Sequence, residues 1–193
     1  MGEEKEIFTT NSFEETQKLG GEFVRRFAKR SLLREGDSLA KIIALYGDLG
    51  SGKTTFVQGM AKGLGIKRRI ISPTFIIIRS YKIDIKYDPF GKLRTRISNM
   101  KNTLRLRDAP SGASLRSGQA NKKFKTFYHI DLYRIESKKG IEGLGIEEII
   151  NDPQNIAAIE WAERMGDLLS RKRWDVSFDN VGGDKRRIIV VSS

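Results

Sequence analysis

The sequence contains no cysteine, and it has one histidine and four prolines among its 193 residues. The absence of cysteine excludes disulfides, thiolate metal sites and cysteine nucleophiles, and it is compatible with a reducing cytosol. No apolar run approaches the roughly 18 residues that a membrane-spanning helix needs. The first ten residues, MGEEKEIFTT, are acidic and lack the apolar core of a secretory signal. We therefore expect a cytoplasmic protein that does not associate with membranes.

The positive charge of the chain is concentrated in one segment. The formal net charge is +12, but residues 82–126 hold 12 lysines and arginines against three aspartates. The rest of the chain carries 24 basic and 21 acidic residues and is almost balanced. This distribution does not support a protein built as a whole to grip nucleic acid.

The order of apolar patterns predicts a single α/β domain over residues 1–193, with an insertion at about 82–126. Apolar runs of four to eight residues indicate buried strands, and apolar residues at spacings of three and four indicate helices. In the helix that begins near Ser12, Gly20 and Gly21 are expected to weaken the helix. Strands are expected at 6–10, 41–46, 70–81, 124–135, 156–161, 174–181 and 186–192, and helices at 11–30, from Lys53 onward, at 141–150 and at 162–172.

The stretch GDLGSGKT, residues 47–54, matches the pattern G-x-x-x-x-G-K-[ST] in full. Glycines leave room for backbone N–H groups to surround a phosphate tail, and the following helix directs its positive end at the anion. Lys53 would reach the β and γ phosphates, and the Thr54 hydroxyl would bind Mg²⁺. The residues predicted to bind the nucleotide in this loop are Gly47, Asp48, Leu49, Gly50, Ser51, Gly52, Lys53, Thr54 and Thr55.

Two carboxylates are predicted to act beside the phosphate loop. Glu160 ends the apolar run IAAI, where a buried carboxylate is costly unless it is paired or bound to metal. Asp131 lies in YHIDLYR, where alternation would put His129, Asp131 and Tyr133 on one face of a strand. Catalytic roles are therefore predicted for Lys53, Asp131 and Glu160. For Asp131, water orientation, general base catalysis and outer-shell support of Mg²⁺ remain open.

Five motifs occur in an order that closely resembles the bacterial TsaE family. They are GDLGSGKTTF, SPTF at 72–75, YHIDLYR at 128–134, the acidic pair at 147–148 and IEWAE at 159–163. The phosphate loop alone is shared by many families, whereas HxDLYR followed by IEW-x-E is much more specific. TsaE proteins are the ATPases of N6-threonylcarbamoyladenosine synthesis, next to the anticodon of tRNAs reading ANN codons.

The resemblance implies a P-loop NTPase-like, three-layer α/β fold with a mainly parallel central sheet, helices on both faces and a C-terminal hairpin. It implies binding of ATP and Mg²⁺, with Thr54 and Glu160 as metal ligands, and assembly with TsaD and TsaB. The ATPase would be weak without these partners. Further residues that the resemblance assigns to the nucleotide site are Thr74 and Asp131 in two mobile segments, Trp161 beside the nucleotide, and Ser12 and Thr16 near the adenine.

The chain departs from the family pattern between SPTF and HxDLYR, where residues 76–127 replace a short hairpin. One interpretation is a tolerated surface insertion, because a longer loop adds little closure entropy. The other interpretation is that its lysines and arginines contact tRNA phosphates directly. This contact would add to an indirect contact with tRNA that is made through the partner proteins.

Two other functions would use some of the same features. A small-molecule kinase can share the phosphate loop, but Arg134 is the one arginine near the motifs that could clamp a transferred phosphate. A non-catalytic nucleic-acid-binding module would explain the basic segment and leave the loop and both carboxylates unexplained. A GTPase is disfavoured because NKKF at 121–124 lacks the aspartate of a guanine-reading N-K-x-D motif.

Overall fold

A computed structural model describes residues 4–32, 41–73, 76–83, 86–87, 93–94 and 124–192. Its helices are α1 (Phe13–Leu32), α2 (Lys53–Gly63) and α3 (Ile146–Asn151), with 3₁₀ turns at Lys138–Gly140 and Ala162–Leu168. The strands are β1 (Glu4–Thr10), β2 (Lys41–Tyr46), β3 (Ile78–Lys82), β4 (Lys86–Tyr87), β5 (Leu93–Arg94), β6 (Thr126–Asp131), β7 (Asn155–Glu160), β8 (Trp174–Asn180) and β9 (Arg186–Ser192).

Seven strands form one mixed sheet in the order β1-β9-β8-β2-β7-β6-β3. The neighbours β8, β2, β7 and β6 are parallel. Strand β9 is antiparallel to β8 and β1, and β3 is antiparallel to β6. Five strands therefore run in one direction, which confirms the predicted mainly parallel sheet, and β8 with β9 forms the predicted C-terminal hairpin.

Each face of the sheet carries its own apolar core, because strand side chains alternate between the faces. On β2, Ile43 and Leu45 pack under α1 and α2, whereas Ile42 and Ala44 pack under α3 and the second 3₁₀ turn. All six residues of β7 are buried, as expected for a central strand covered on both sides. The predicted three-layer α/β fold is confirmed.

Helices α1 and α2 pack closely because glycines line their interface. A Cβ on Gly20 would lie 2.2 Å from the carbonyl oxygen of Phe56, and one on Gly59 would lie 1.9 Å from that of Gln17. The sequence suggests that Gly20 and Gly21 weaken α1, but a larger side chain at either Gly20 or Gly59 would push the helices apart. The close packing fixes α2, whose first turn carries Lys53 and Thr54.

Several predicted elements are shorter in the structure. The strand expected over 124–135 covers Thr126–Asp131, and the extended segment expected over 70–81 is a strand at Ile78–Lys82. The segments at 141–150 and 162–172 give the short helix α3 and a 3₁₀ turn. In each case a turn or an irregular connection replaces part of the predicted element.

Most of the predicted insertion at 82–126 lies outside the described residues. Its two ends are adjacent, because the Ile83 amide donates to the Lys125 carbonyl oxygen over 2.9 Å. Within the part of the chain that the structure describes, no helix has both the length and the apolar character to cross a bilayer.

Candidate functional site

The loop between β2 and α2 has the backbone of a phosphate-binding cradle. Gly47, Gly50 and Gly52 adopt φ angles of 131°, 76° and 106°, which non-glycine residues rarely adopt. A Cβ on Gly47 would lie 2.5 Å from the carbonyl oxygen of Phe178 on β8. Both conformation and space therefore require glycine at position 47. The loop leads directly into the first turn of α2, as the sequence predicts.

The side chain of Lys53 folds back over this loop. Its Nζ donates to the carbonyl oxygens of Gly47 over 2.6 Å and Asp48 over 2.8 Å. The ammonium lies 4.2 Å from the ring centroid of Trp161, within cation–π range. Burial lowers the pKa of Lys53, and the negative charge of Glu160 partly opposes that shift. The loop thus presents a partly desolvated cation, which a phosphate group would stabilise strongly.

Glu160 and Thr54 meet at the carboxyl end of β7. The Thr54 hydroxyl lies 2.9 Å from each of the two Glu160 carboxylate oxygens. His129 on β6 lies 2.7 Å from Glu160 Oε1 through its Nε2, and its ring is fully buried. The Nδ1 atom of His129 has no hydrogen-bond partner among the described residues. We assign the proton to Nε2, since Nε2 then donates to the carboxylate and holds it in place.

Asp131 lies in register with Glu160, because β6 and β7 are parallel neighbours. Its Oδ2 accepts from the Ser72 hydroxyl over 2.7 Å, and its Oδ1 accepts from the Tyr133 amide over 3.0 Å. The second bond closes a turn that ends β6 at Asp131. Tyr133 is therefore outside the strand on which the sequence pattern put it, although it still lines the site.

Trp161 follows Glu160 and has a left-handed backbone conformation with φ of 59°. Such a conformation costs about 1–3 kcal/mol for a non-glycine residue and is concentrated at functional sites. Its ring packs on Tyr133 with centroids 5.2 Å apart and on the Arg164 guanidinium at 5.5 Å. The turn places the indole beside Lys53, and the expectation that Trp161 lies next to a bound nucleotide stays a prediction.

On the other side of the loop, the start of α1 approaches Gly52. Ser12 caps the helix, with its hydroxyl accepting from the Glu15 amide over 3.2 Å. The Thr16 hydroxyl bonds to that of Thr10 over 2.8 Å, and the Thr16 methyl carbon lies 3.8 Å from where a Cβ on Gly52 would be. The described hydrogen bonds of Ser12 are to Glu15 and Thr16 in the first turn of α1. Of the two predicted residues, Thr16 is therefore the one that lies against the loop.

These groups surround one cavity of about 210 Å³. The described residues that line it are Leu49, Gly50, Ser51, Gly52, Lys53, Thr54, Thr55, Ser72, Asp131, Tyr133, Glu160 and Trp161. The structure thus brings together most of the predicted site, including both carboxylates. Thr74, predicted to belong to a mobile segment, lies outside the described residues. A smaller apolar cavity between α1 and β1 contains none of the predicted residues.

Thr54 and Glu160 are the pair that could hold a metal ion. Across the described ranges, no group of three or more histidine, cysteine, aspartate or glutamate side chains is arranged to hold one. Mg²⁺ does not require such a group at a nucleotide, since one or two protein oxygens are completed by phosphates and water. A hydroxyl and a carboxylate beside a phosphate cradle therefore fit Mg²⁺.

Two residues of the site were not singled out from the sequence. Ser72 belongs to the SPTF motif, but its bond to Asp131 joins residues 59 positions apart in the chain. Arg186, on β9, has its Nη2 3.4 Å from the Gly50 carbonyl oxygen although 136 positions separate them. No local pattern marks Arg186, because the contact arises from the position of the β8–β9 hairpin.

Comparison with known proteins identifies similar chains. Residues 10–92 and 115–188 match the family model "Threonylcarbamoyl adenosine biosynthesis protein TsaE". The TsaE protein of Bacillus subtilis is 31% identical over 76% of this chain, and the alignment spans 66% of that relative, just under two thirds of its length. The TsaE protein of Rickettsia conorii is 30% identical over 97% of this chain and 78% of its own length.

A similar fold is found among solved structures. The crystal structure of Bacillus subtilis YdiB superposes with a TM-score of 0.59 and 22% sequence identity, covering 100% of this chain and 88% of that protein. At this level of identity the comparison supports the fold alone.

Proposed function

The chain belongs to the TsaE family of tRNA threonylcarbamoyladenosine biosynthesis proteins, and we propose that it is the magnesium-dependent ATPase of that pathway. It would hydrolyse ATP to ADP and phosphate, weakly by itself, and act with TsaD and TsaB. Because its target is tRNA, we propose that it works in the cytoplasm.

The observation that carries this proposal is the convergence of Thr54 and Glu160 beside the loop. The Thr54 hydroxyl lies 2.9 Å from each of the two Glu160 carboxylate oxygens, at the carboxyl end of a central strand. Ligands bind at this edge in open α/β sheets, and a phosphate-loop threonine with a strand-end carboxylate is a suitable Mg²⁺ anchor. Lys53, with its pKa lowered by burial, adds the positive charge that binds phosphate oxygens.

Each remaining group has a proposed role in hydrolysis. When bound, Mg²⁺ would offset charge on the phosphates. Lys53 would stabilise negative charge on the β and γ phosphate oxygens. Asp131, held by Ser72 and by the Tyr133 amide, would orient the attacking water. Trp161 would cover Lys53 and limit the access of bulk solvent, which strengthens the electrostatic interactions inside the site.

The partners and the tRNA contact rest on family membership and charge. Leu49 at the tip of the loop is 73% exposed and borders the cavity, so a partner protein docking there would bury apolar surface next to the phosphates. This arrangement is consistent with an ATPase that is weak until TsaD and TsaB complete its site. Contact of tRNA with the basic segment at 82–126 remains a prediction.

The test is hydrolysis of radiolabelled MgATP with and without the TsaB–TsaD pair. The native chain is expected to release inorganic phosphate, faster with the pair, and Lys53→Ala is expected to abolish the stimulated rate. Lys172→Ala, a change at an exposed lysine outside the site, should behave as native. Equal activity of the native chain and Lys53→Ala would refute the proposal. Transfer of label to a small molecule instead of water would favour the kinase.

A further inference from the structure

Arg186 is held against the phosphate loop by bonds that leave part of its guanidinium unused. Its Nη1 donates to Asn180 Oδ1 over 3.2 Å and to the carbonyl oxygens of Gly183 over 2.8 Å and Lys185 over 3.0 Å. Its Nη2 lies 3.4 Å from the Gly50 carbonyl oxygen. A guanidinium has five N–H donors. The Nε donor forms no bond with the described residues.

The charge of Arg186 is also not balanced by a carboxylate. Among the residues described, Arg186 forms no ion pair, and four polar oxygens surround it instead. Its neighbour Arg187 differs, since its Nη2 lies 2.8 Å from Asp179 Oδ2 in an exposed salt bridge. The two arginines follow each other on β9 and point to opposite faces of the sheet. Of these two arginines, Arg186 is therefore the one that directs a half-buried cation without a carboxylate partner among the described residues at the loop.

The sheet order fixes which end of a bound nucleotide Arg186 would meet. Glu160 on β7 and Asp131 on β6 lie on one side of β2, and β8, β9 and β1 lie on the other. If the terminal phosphate faces the two carboxylates, the nucleoside must leave the loop on the opposite side. Arg186 and Thr16 lie there, each 3.8 Å from where a Cβ on Gly52 would be.

We propose that Arg186 binds the nucleoside half of ATP, an inference that rests on the proposed function. Its planar guanidinium stacks against the purine, and its Nε donor is available to the ribose. A delocalised cation suits this role, because arginine stacks on aromatic rings and is weakly hydrated. The bonds to the hairpin carbonyls and Gly50 hold the group in one place, which reduces the entropy lost on binding.

The test compares binding of MgATP with binding of magnesium tripolyphosphate, which lacks the nucleoside. Calorimetric titrations use the full chain and four variants: Arg186→Met, Arg186→Lys, Lys53→Ala and, as the matched control, Arg187→Met. We expect Arg186→Met to weaken MgATP binding about 10-fold, since the loss of a partly buried arginine stacked on an aromatic ring lowers affinity by about this factor. Tripolyphosphate binding should change less than about twofold, and KM for ATP should rise while kcat is retained. Arg187→Met should leave both affinities as native.

Each other outcome has a defined meaning. Equal weakening of MgATP and tripolyphosphate by Arg186→Met would place the arginine on the phosphates and overturn the inference, as would no change in either. If Arg186→Met does not fold, Arg186→Lys keeps the charge without the plane, and native MgATP affinity in that variant also overturns it. Tripolyphosphate binding that persists in Lys53→Ala takes place outside the phosphate loop of this basic chain, and it is subtracted from the binding measured for the other chains. If the native chain binds neither ligand, the proposed function falls together with this inference.

Discussion

The hydroxyl of Thr54, in the first turn of α2, lies 2.9 Å from both carboxylate oxygens of Glu160 at the end of β7. Thr54 follows the phosphate loop directly in the chain, whereas Glu160 ends the strand that neighbours β2 in the sheet. His129 holds the same carboxylate from β6 over 2.7 Å. Glu160 is thus fixed by a hydroxyl at the mouth of the cavity and by a buried ring beneath it.

This relationship predicts that Glu160→Gln removes magnesium-dependent hydrolysis. The amide keeps the shape of the side chain and loses the charge that would anchor Mg²⁺, so we expect kcat to fall about 100-fold or more. The measurement is hydrolysis rate against Mg²⁺ concentration at saturating ATP. Glu142→Gln, which changes an exposed carboxylate outside the site, is the control and should keep the native curve. A native Mg²⁺ requirement in Glu160→Gln would contradict the assignment.

A second prediction concerns His129, which would act on a bound Mg²⁺ through its contact with Glu160. Removing such an outer partner usually costs 10- to 100-fold in metal affinity. We expect His129→Ala to raise the Mg²⁺ concentration for half-maximal activity by about 10-fold and to lower the free energy of unfolding by about 2–4 kcal/mol through lost packing. Tyr128→Phe, whose side chain packs in the opposite core, controls for general damage to β6. An unchanged Mg²⁺ curve would mean that His129 has a purely structural role.

The sequence predicts the loop and α2 well, because their signals are local. The glycine spacing, Lys53 and the apolar face that follows all lie within one continuous stretch. The end of β6 is not predictable in this way, since it is set by the bond between the Tyr133 amide and the Asp131 carboxylate. The pattern of apolar and polar residues continues beyond that point and suggests a longer strand.

Contacts between distant segments account for what the sequence does not reveal. Gly20 counts against a helix when α1 is considered alone, yet in the fold it lets α2 approach. Arg186 reaches Gly50 only after the β8–β9 hairpin has been placed beside β2. In both cases the function of the residue depends on an element far away in the chain, and no periodicity or spacing encodes that distance.

A third prediction follows from the lowered pKa of Lys53. The unfolded ammonium keeps its proton up to its ordinary pKa of 10.5, whereas the folded one loses it at lower pH because burial disfavours the charge. Between the two pKa values the unfolded state binds more protons, so folding stability rises with pH. We expect the free energy of unfolding of the native chain to increase relative to that of Lys53→Met as pH rises toward 10.5. Urea denaturation of both chains at pH 7, 9 and 10 measures this, and a constant difference would contradict it.

A fourth prediction concerns the bond from Tyr46 to Asp175, which links β2 to β8 over 2.8 Å. Burial, followed by the bond to Asp175, raises the pKa of Tyr46 to about 12. The neutral phenol is favoured in the folded state, so this stability is complete below pH 10 and is lost as pH rises through 12. We expect Tyr46→Phe to cost about 1 kcal/mol at pH 7, after allowance for solvent screening of a half-buried group.

The difference between the native chain and Tyr46→Phe should shrink between pH 10 and pH 12, which urea denaturation at pH 7, 10 and 11 can follow. Asp175 keeps a partner in the variant, because Arg173 Nε donates to it over 2.7 Å. A pH-independent difference would mean that Tyr46 contributes by packing alone.

The last prediction uses Trp161 as a reporter of nucleotide binding. Its ring lies 4.2 Å from the Lys53 ammonium, so a phosphate that draws Lys53 away changes the charge beside the indole. The other tryptophan, Trp174, packs edge-on against Phe23 and Phe27 in the core under α1 and should not respond. In a Trp174→Phe background, MgATP should shift the emission intensity of Trp161 in a saturable way, and adding Lys53→Ala should remove the shift. If the signal survives Lys53→Ala with an unchanged midpoint, the nucleotide binds elsewhere and the indole is not beside the phosphates.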